Sequence, residues 1–283
     1  MLSDAFLARL DAMRLAVRGR AQGGAGGSRR SARLGSSAEF SDYREYIPGD
    51  DIRRLDWNAL ARFDRLFIKL FMEEQESAVT ILLDGSASMA EKWNTARMAA
   101  EAVGYLALTG GDRLKVIFLQ GGEPRQSPVL SGRPAYARLE QFLDTCVPAG
   151  AGSLTETVQR LDGLRKGLCF LISDCYIAEG MDGVLDFLRY CRQETGVIHV
   201  LSAFELRPEM EGALRLTDAE TGDTVDVLAD RGVMRQYEDA LNAFLDDVRG
   251  SCFRRETPYM LLDGGKNFEE EMIPQMTRSG IIG

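Results

Sequence analysis

The chain has 283 residues, 45% hydrophobic and 27% charged, which suits one large α/β domain with an appendage or two small domains. Its formal net charge of −9 repels phosphate backbones on average and argues against nucleic-acid binding. The five cysteines, Cys146, Cys169, Cys175, Cys191 and Cys252, are odd in number and form no C-x-x-C pair, so the expectation is reduced thiols with neither disulfide nor zinc cluster.

Residues 2–17 place Leu2, Phe6, Leu10, Met13 and Val17 at three- and four-residue spacing, which predicts an amphipathic helix. A stretch rich in Gly, Ser and Arg follows and reads as a flexible linker, closing a first segment at 1–35. GGAGGSRR within it lacks the Gly-Lys-Ser/Thr ending of a phosphate loop. Its arginines are either a solvated arm or a docking arm for an acidic surface.

Residues 36–77 alternate aromatic and charged side chains and form a second segment. Pro48-Gly49-Asp50-Asp51 signals a turn, 51–62 a short helix and 66–74 a strand. From residue 78 strands and helices alternate: strands at 78–84, 113–120, 167–174 and 195–204, helices at 94–110, 133–146, 154–164 and 181–194. Such alternation specifies a mostly parallel sheet flanked by helices. A hairpin around Glu220–Asp223, a helix over 232–250, an edge strand at 258–263 and a short tail helix complete the third segment, 78–283. No run reaches the roughly 18 apolar residues of a membrane helix, and the N-terminus lacks an apolar signal core. The expected location is the cytoplasm, with no direct membrane insertion.

Asp84-Gly85-Ser86-Ala87-Ser88 is a D-x-S-x-S motif directly after a predicted buried strand. Ligands of parallel sheets bind beyond the carboxyl ends of the strands. Asp174 ends another strand, and the loop Gly150–Thr155 between them offers the hydroxyls of Ser153 and Thr155. This is an all-oxygen set suited to a hard cation such as Mg²⁺, with the hydroxyls bound directly and the carboxylates acting through water. The blander reading makes the serines helix caps and the aspartates turn residues.

The order D-x-S-x-S, Gly-Ser/Thr loop, strand-end Asp resembles the von Willebrand factor A family. Upstream, Glu39-Phe40, Arg44-Glu45-Tyr46, Gly49-Asp50-Asp51, Arg53, Asp56-Trp57, Ala61-Arg62 and Glu73 resemble domain-of-unknown-function family 58. The resemblance implies a von Willebrand factor A-like, Rossmann-like fold carrying an N-terminal helix and a charged extension. It also implies a metal-ion-dependent adhesion site with Mg²⁺ or Mn²⁺ at Asp84, Ser86, Ser88, Ser153 and Asp174, with Thr155 the fallback for Ser153. The implied role is a non-enzymatic protein-binding adaptor for a MoxR-type AAA+ ATPase. Related domains carry Gly-Thr-Asp in the middle loop, where this chain has Gly152-Ser153-Leu154.

The charged block, with Trp57 and Tyr46 as apolar anchors, is read as a salt-bridged clasp onto the domain, or else as a partner-binding face. Three rival functions remain: a metal-free structural A domain, a phosphatase using Asp84, and a serine hydrolase. The phosphatase lacks a second Asp two residues on, where Ser86 stands. The hydrolase rests on the lone His199 in an apolar run.

Overall fold

A computed structural model describes residues 1–16, 39–48, 50, 52, 55–63, 65–72, 77–121, 124–150, 152–208, 212–219 and 221–283. The linker, Gly49, Asp51, Arg53 and Glu73 lie outside the described residues. The chain forms two compact units, residues 1–20 with 77–283 and residues 21–76. The larger unit opens with α1 (Asp4–Leu10). The smaller holds β1 (Glu39–Glu45), α2 (Trp57–Phe63) and β2 (Phe67–Met72). The larger then resumes with β3 (Ala78–Asp84), α3 (Trp93–Thr109), β4 (Arg113–Leu119), β5 (Arg125–Gln126) and β6 (Leu130–Ser131). There follow α4 (Tyr136–Asp144), α5 (Leu154–Gln159), β7 (Gly167–Ser173), α6 (Asp182–Tyr190), β8 (Gln193–Leu201) and α7 (Ala203–Leu206). The chain closes with β9 (Gly212–Thr217), β10 (Thr224–Ala229), α8 (Arg231–Arg254), β11 (Tyr259–Asp263) and α9 (Phe268–Ser279).

The main sheet runs β11-β8-β7-β3-β4, all parallel, with β5 and β6 antiparallel on β4. It is thus the mostly parallel, helix-flanked sheet expected. Continuous apolar runs form its strands because both faces are covered. The period of two divides each run between layers. Val79, Ile81 and Leu83 of β3 join a core with α1, α3, α4 and α9, whereas Leu82 faces a second core with α5, α6 and α8. Gly167 is required where β7 meets β3, since a Cβ there would lie 2.0 Å from the Ala78 carbonyl oxygen.

After β3 the chain steps to β4 on one side and then returns to β7 on the other. Strand order therefore reverses at β3, and the carboxyl ends of β3 and β7 flank the crevice where such sheets bind ligands.

Several element boundaries differ from expectation. The predicted helix over 2–17 ends at Leu10, and Leu15 instead forms a β-bridge with Ile282. Phe6 packs edge-on against Phe268 at 6.0 Å, fixing α1 on α9. The helix expected over 154–164 stops at Gln159. The helix expected to 194 stops at Tyr190, because Arg192 takes a φ of +58° and turns the chain into β8. The strand expected to 204 stops at Leu201, because Ser202 and Glu205 form a reciprocal capping box that starts α7. The strand β1 was not expected, since the neighbouring Arg44 and Glu45 break any apolar alternation.

Candidate functional site

Asp84 is the last residue of β3 and Asp174 the first after β7, and both are buried, at 4% and 2% exposure. Ser173 Oγ spans the two strands and donates to Asp84 Oδ2 at 2.6 Å. The Ser86 backbone N–H donates to Asp84 Oδ1 at 2.9 Å. The Ser86 and Ser88 hydroxyls lie 3.0 Å apart. Gly85 lets this loop cross over β4, since a Cβ would fall 2.4 Å from the buried Phe118 ring.

The middle loop is stitched to the serine loop by its backbone. Ala149 N–H donates to Gly85 O at 2.9 Å, and Ala87 N–H to Gly150 O at 3.0 Å. Gly150 has a φ of +79°, which suits glycine. Three residues on, Ser153 caps α5 and accepts from Glu156 N–H at 3.2 Å. Thr155 Oγ1 is buried with no hydrogen-bond partner, and its methyl lies 3.6 Å from where a Cβ of Gly183 would stand. The fold thus gathers Asp84, Ser86 and Ser88 tightly. It ties Ala149 and Gly150, ahead of Ser153, to that loop by two backbone bonds and places Asp174 at the end of the neighbouring strand β7.

Sequence reasoning missed the other half of this rim. Lys92 precedes α3, and its side chain is only 1% exposed. Its ammonium donates to Asp174 Oδ2 at 2.9 Å, pairs with Glu205 Oε1 and lies 5.1 Å from the Tyr176 ring centre. Glu205 Oε2 meanwhile accepts from the Ser202 N–H at 2.7 Å. The Ser202-x-x-Glu205 capping box was visible in the sequence. Nothing marked Lys92, because pairing between residues 82 and 113 positions apart has no local signature.

Of the three carboxylates Asp84, Asp174 and Glu205, the last two share the single Lys92 ammonium and Asp84 is not bonded to it, so the ionised rim is short of positive charge. Burial, and then the charge of Asp174, raise the Asp84 carboxyl to about 6 against the hydrogen bonds from Ser173 and Ser86. Among the described residues no group of three or more His, Cys, Asp or Glu is set to hold a metal. A cation here would therefore depend on serine hydroxyls. Their all-oxygen chemistry and the uncompensated charge fit a hard divalent ion.

The rival chemistries find less support. Asp84 accepts one hydrogen bond on each oxygen, and Ser86 stands where the phosphatase pattern needs a second Asp. His199 is fully buried and shares a 2.9 Å hydrogen bond with the Tyr259 hydroxyl, while Ser86 and Ser88 pair with each other. Burial lowers the His199 ring to about 4, as expected of a neutral core histidine.

Within the smaller unit the signature block is tied by several bonds of its own. β1 and β2 pair antiparallel from Glu39↔Met72 to Glu45↔Phe67. Arg44 forks onto Asp50 at 2.8 and 2.9 Å, and Arg65 meets Glu45 at 3.0 Å. Asp56 accepts from the Tyr43 hydroxyl at 2.9 Å and from Asn58 N–H at 2.9 Å, holding the start of α2. Tyr46 N–H donates to Leu66 O at 2.8 Å, and Arg62 sits in the last turn of α2, where it complements the helix dipole. Trp57, expected to be buried as an apolar anchor, is 66% exposed.

The family model described as "Protein of unknown function DUF58" matches residues 42–243. Uncharacterized protein Rv1480 of Mycobacterium tuberculosis is 27% identical over 230 residues, 76% of this chain and 71% of that protein. Uncharacterized protein Mb1516 of Mycobacterium bovis gives the same figures, 27% over 230 residues with 76% and 71% covered. Among solved structures, conserved hypothetical protein BatB from Bacteroides thetaiotaomicron has a TM-score of 0.43 at 15% identity, covering 72% of this chain and 98% of that one. The SpRpn10 VWA domain has a TM-score of 0.40 at 10% identity, covering 71% and 95%. The fold assignment rests on the strand order and not on these distant likenesses.

Proposed function

The chain belongs to the DUF58 family, whose function is unknown, and from that premise we propose that its sheet rim is a metal-ion-dependent adhesion site for a protein partner. The observation that carries this reading is the cluster of Asp84, Ser86 and Ser88 at the reversal of strand order, with more carboxylates around it than cations. Ser86, Ser88 and Ser153, with Thr155 as the fallback hydroxyl, would hold Mg²⁺ or Mn²⁺, and Asp84 and Asp174 would supply the balancing charge. When bound, the ion supplies an electrophilic position able to accept a carboxylate from the partner.

The chain's own residues prepare that position. Ser173 and the Ser86 N–H fix the orientation of Asp84. The backbone stitch between residues 85–87 and 149–150 holds the two hydroxyl-bearing loops in register. We assign the protein to binding rather than to a reaction, as a cytoplasmic adaptor for a MoxR-type AAA+ ATPase in protein-complex assembly. Among the described residues no helix is long and apolar enough to cross a membrane.

Calorimetric titration with Mg²⁺ and Mn²⁺ tests the site. Wild type is expected to give binding heat that Ser86→Ala abolishes. A silent wild type would favour a second reading, a metal-free structural domain. The observation behind that alternative is the Lys92 ammonium, a cation the protein supplies itself.

A further inference from the structure

Lys92 belongs to no part of the D-x-S-x-S motif, yet it is among the most enclosed charges of the molecule. Burying an ammonium is costly unless it is paired and hydrogen-bonded. Lys92 meets both conditions, with Asp174 on one side, Glu205 on the other and the Tyr176 ring alongside. Glu205 is itself held twice. Its second oxygen closes the capping box, and its carbonyl accepts from the Tyr237 hydroxyl of α8 at 2.7 Å. The ammonium is therefore built in.

Asp84 stands outside this arrangement. Its oxygens take a backbone N–H and the Ser173 hydroxyl, and no hydrogen bond joins it to Lys92. The rim is thus divided into one half in which two carboxylates share the Lys92 ammonium and one half in which Asp84 has no ammonium bonded to it beside two hydroxyls.

We propose that Lys92 is the specificity-determining residue of the adhesion site, keeping Asp174 as its own counterion so that Asp84 is the principal carboxylate facing the ion. This rests on the adhesion-site reading. A cation with two facing carboxylates is held tightly but has little charge left for another. With Asp174 withdrawn, the ion is held more weakly and keeps affinity for an acidic side chain on the partner. The ligand class that follows is a carboxylate-bearing protein surface, bound cooperatively with the metal.

A double-mutant cycle on the full chain, read by Mn²⁺ calorimetry, tests the assignment. Lys92→Gln is expected to bind Mn²⁺ about tenfold more tightly than wild type, and Asp174→Asn to cost about tenfold more affinity in the Lys92→Gln background than in wild type. Equal costs in the two backgrounds, or no gain from Lys92→Gln, would overturn the proposal while leaving the adhesion site standing. If Lys92→Gln fails to fold by circular dichroism, two variants that leave Lys92 in place decide. Asp84→Asn is expected to weaken Mn²⁺ binding about tenfold more than Asp174→Asn does, and equal losses overturn the proposal. Absence of Mn²⁺ binding to any of these proteins removes the adhesion site itself, and the role of Lys92 with it.

Discussion

Asp84 shows how enclosure changes a single carboxyl group. In the fold its pKa rises from 3.8 to about 6, chiefly through burial. Between those values the unfolded chain is ionised there while the folded chain retains the proton. The folded state binds more protons, so the stability this group contributes is present at low pH and lost as pH rises towards 6. Asp84→Asn removes that dependence. In chelator, the stability of Asp84→Asn relative to wild type is expected to increase by roughly 1–3 kcal/mol between pH 4 and pH 7. Urea unfolding of both proteins at several pH values measures it, and parallel curves would refute the burial argument. The same enclosure implies that protons compete with a cation, so Mn²⁺ affinity is expected to rise with pH through about 6. Motif spacing pointed to Asp84, Ser86 and Ser88 because they share one strand end and one loop. Lys92 and Ser173 were not legible, since each acts by reaching a residue on a different strand or helix.

At the level of elements, the site depends on how close the serine loop comes to β4. Gly85 sits against the Phe118 ring, which packs edge-on against Trp93 at 5.6 Å. An added methyl has to displace an aromatic ring fixed in the core. Gly85→Ala is expected to destabilise the fold by about 1–3 kcal/mol through overpacking. It is also expected to weaken Mn²⁺ binding by shifting Ser86 and Ser88. Thermal unfolding and calorimetry read the two effects separately, and an unaltered melting temperature would contradict the close approach. The strands β3 and β7 were readable as buried apolar runs. The junction of β8 with α7 was misread because Ala203 and Phe204 extend the apolar run. There the hydrogen bonds of Ser202 and Glu205 override hydrophobic pattern. The length of α1 was misjudged for a related reason. Met13 keeps the apolar spacing after Leu10, but Leu15 is drawn into a bridge with Ile282, 267 positions along the chain.

For the whole molecule, the smaller unit presents a surface that its internal bonds do not explain. Arg44 pairs with Asp50 and Tyr43 with Asp56 within it, while Trp57, Ile47 and Ile52 are exposed. Exposed tryptophan is favoured at protein interfaces. Trp57→Ala is expected to change stability by no more than about 0.5 kcal/mol, as for other surface positions. It is expected to weaken binding to the proposed MoxR-type ATPase partner about tenfold if this face is the docking surface. Pulldown or calorimetry with the ATPase decides, and full binding by a folded Trp57→Ala would return the block to a purely structural role. The sequence by itself determined the α/β class and the D-x-S-x-S strand end, since both follow from periodicity and contiguous residues. Only the tertiary structure decided that strand order reverses at β3, that Ser173 bridges to Asp84 and that a lysine pairs with both Asp174 and Glu205. Such facts depend on which distant segments become neighbours. Local pattern does not carry that information, because contacts across a sheet arise from the packing of the whole chain.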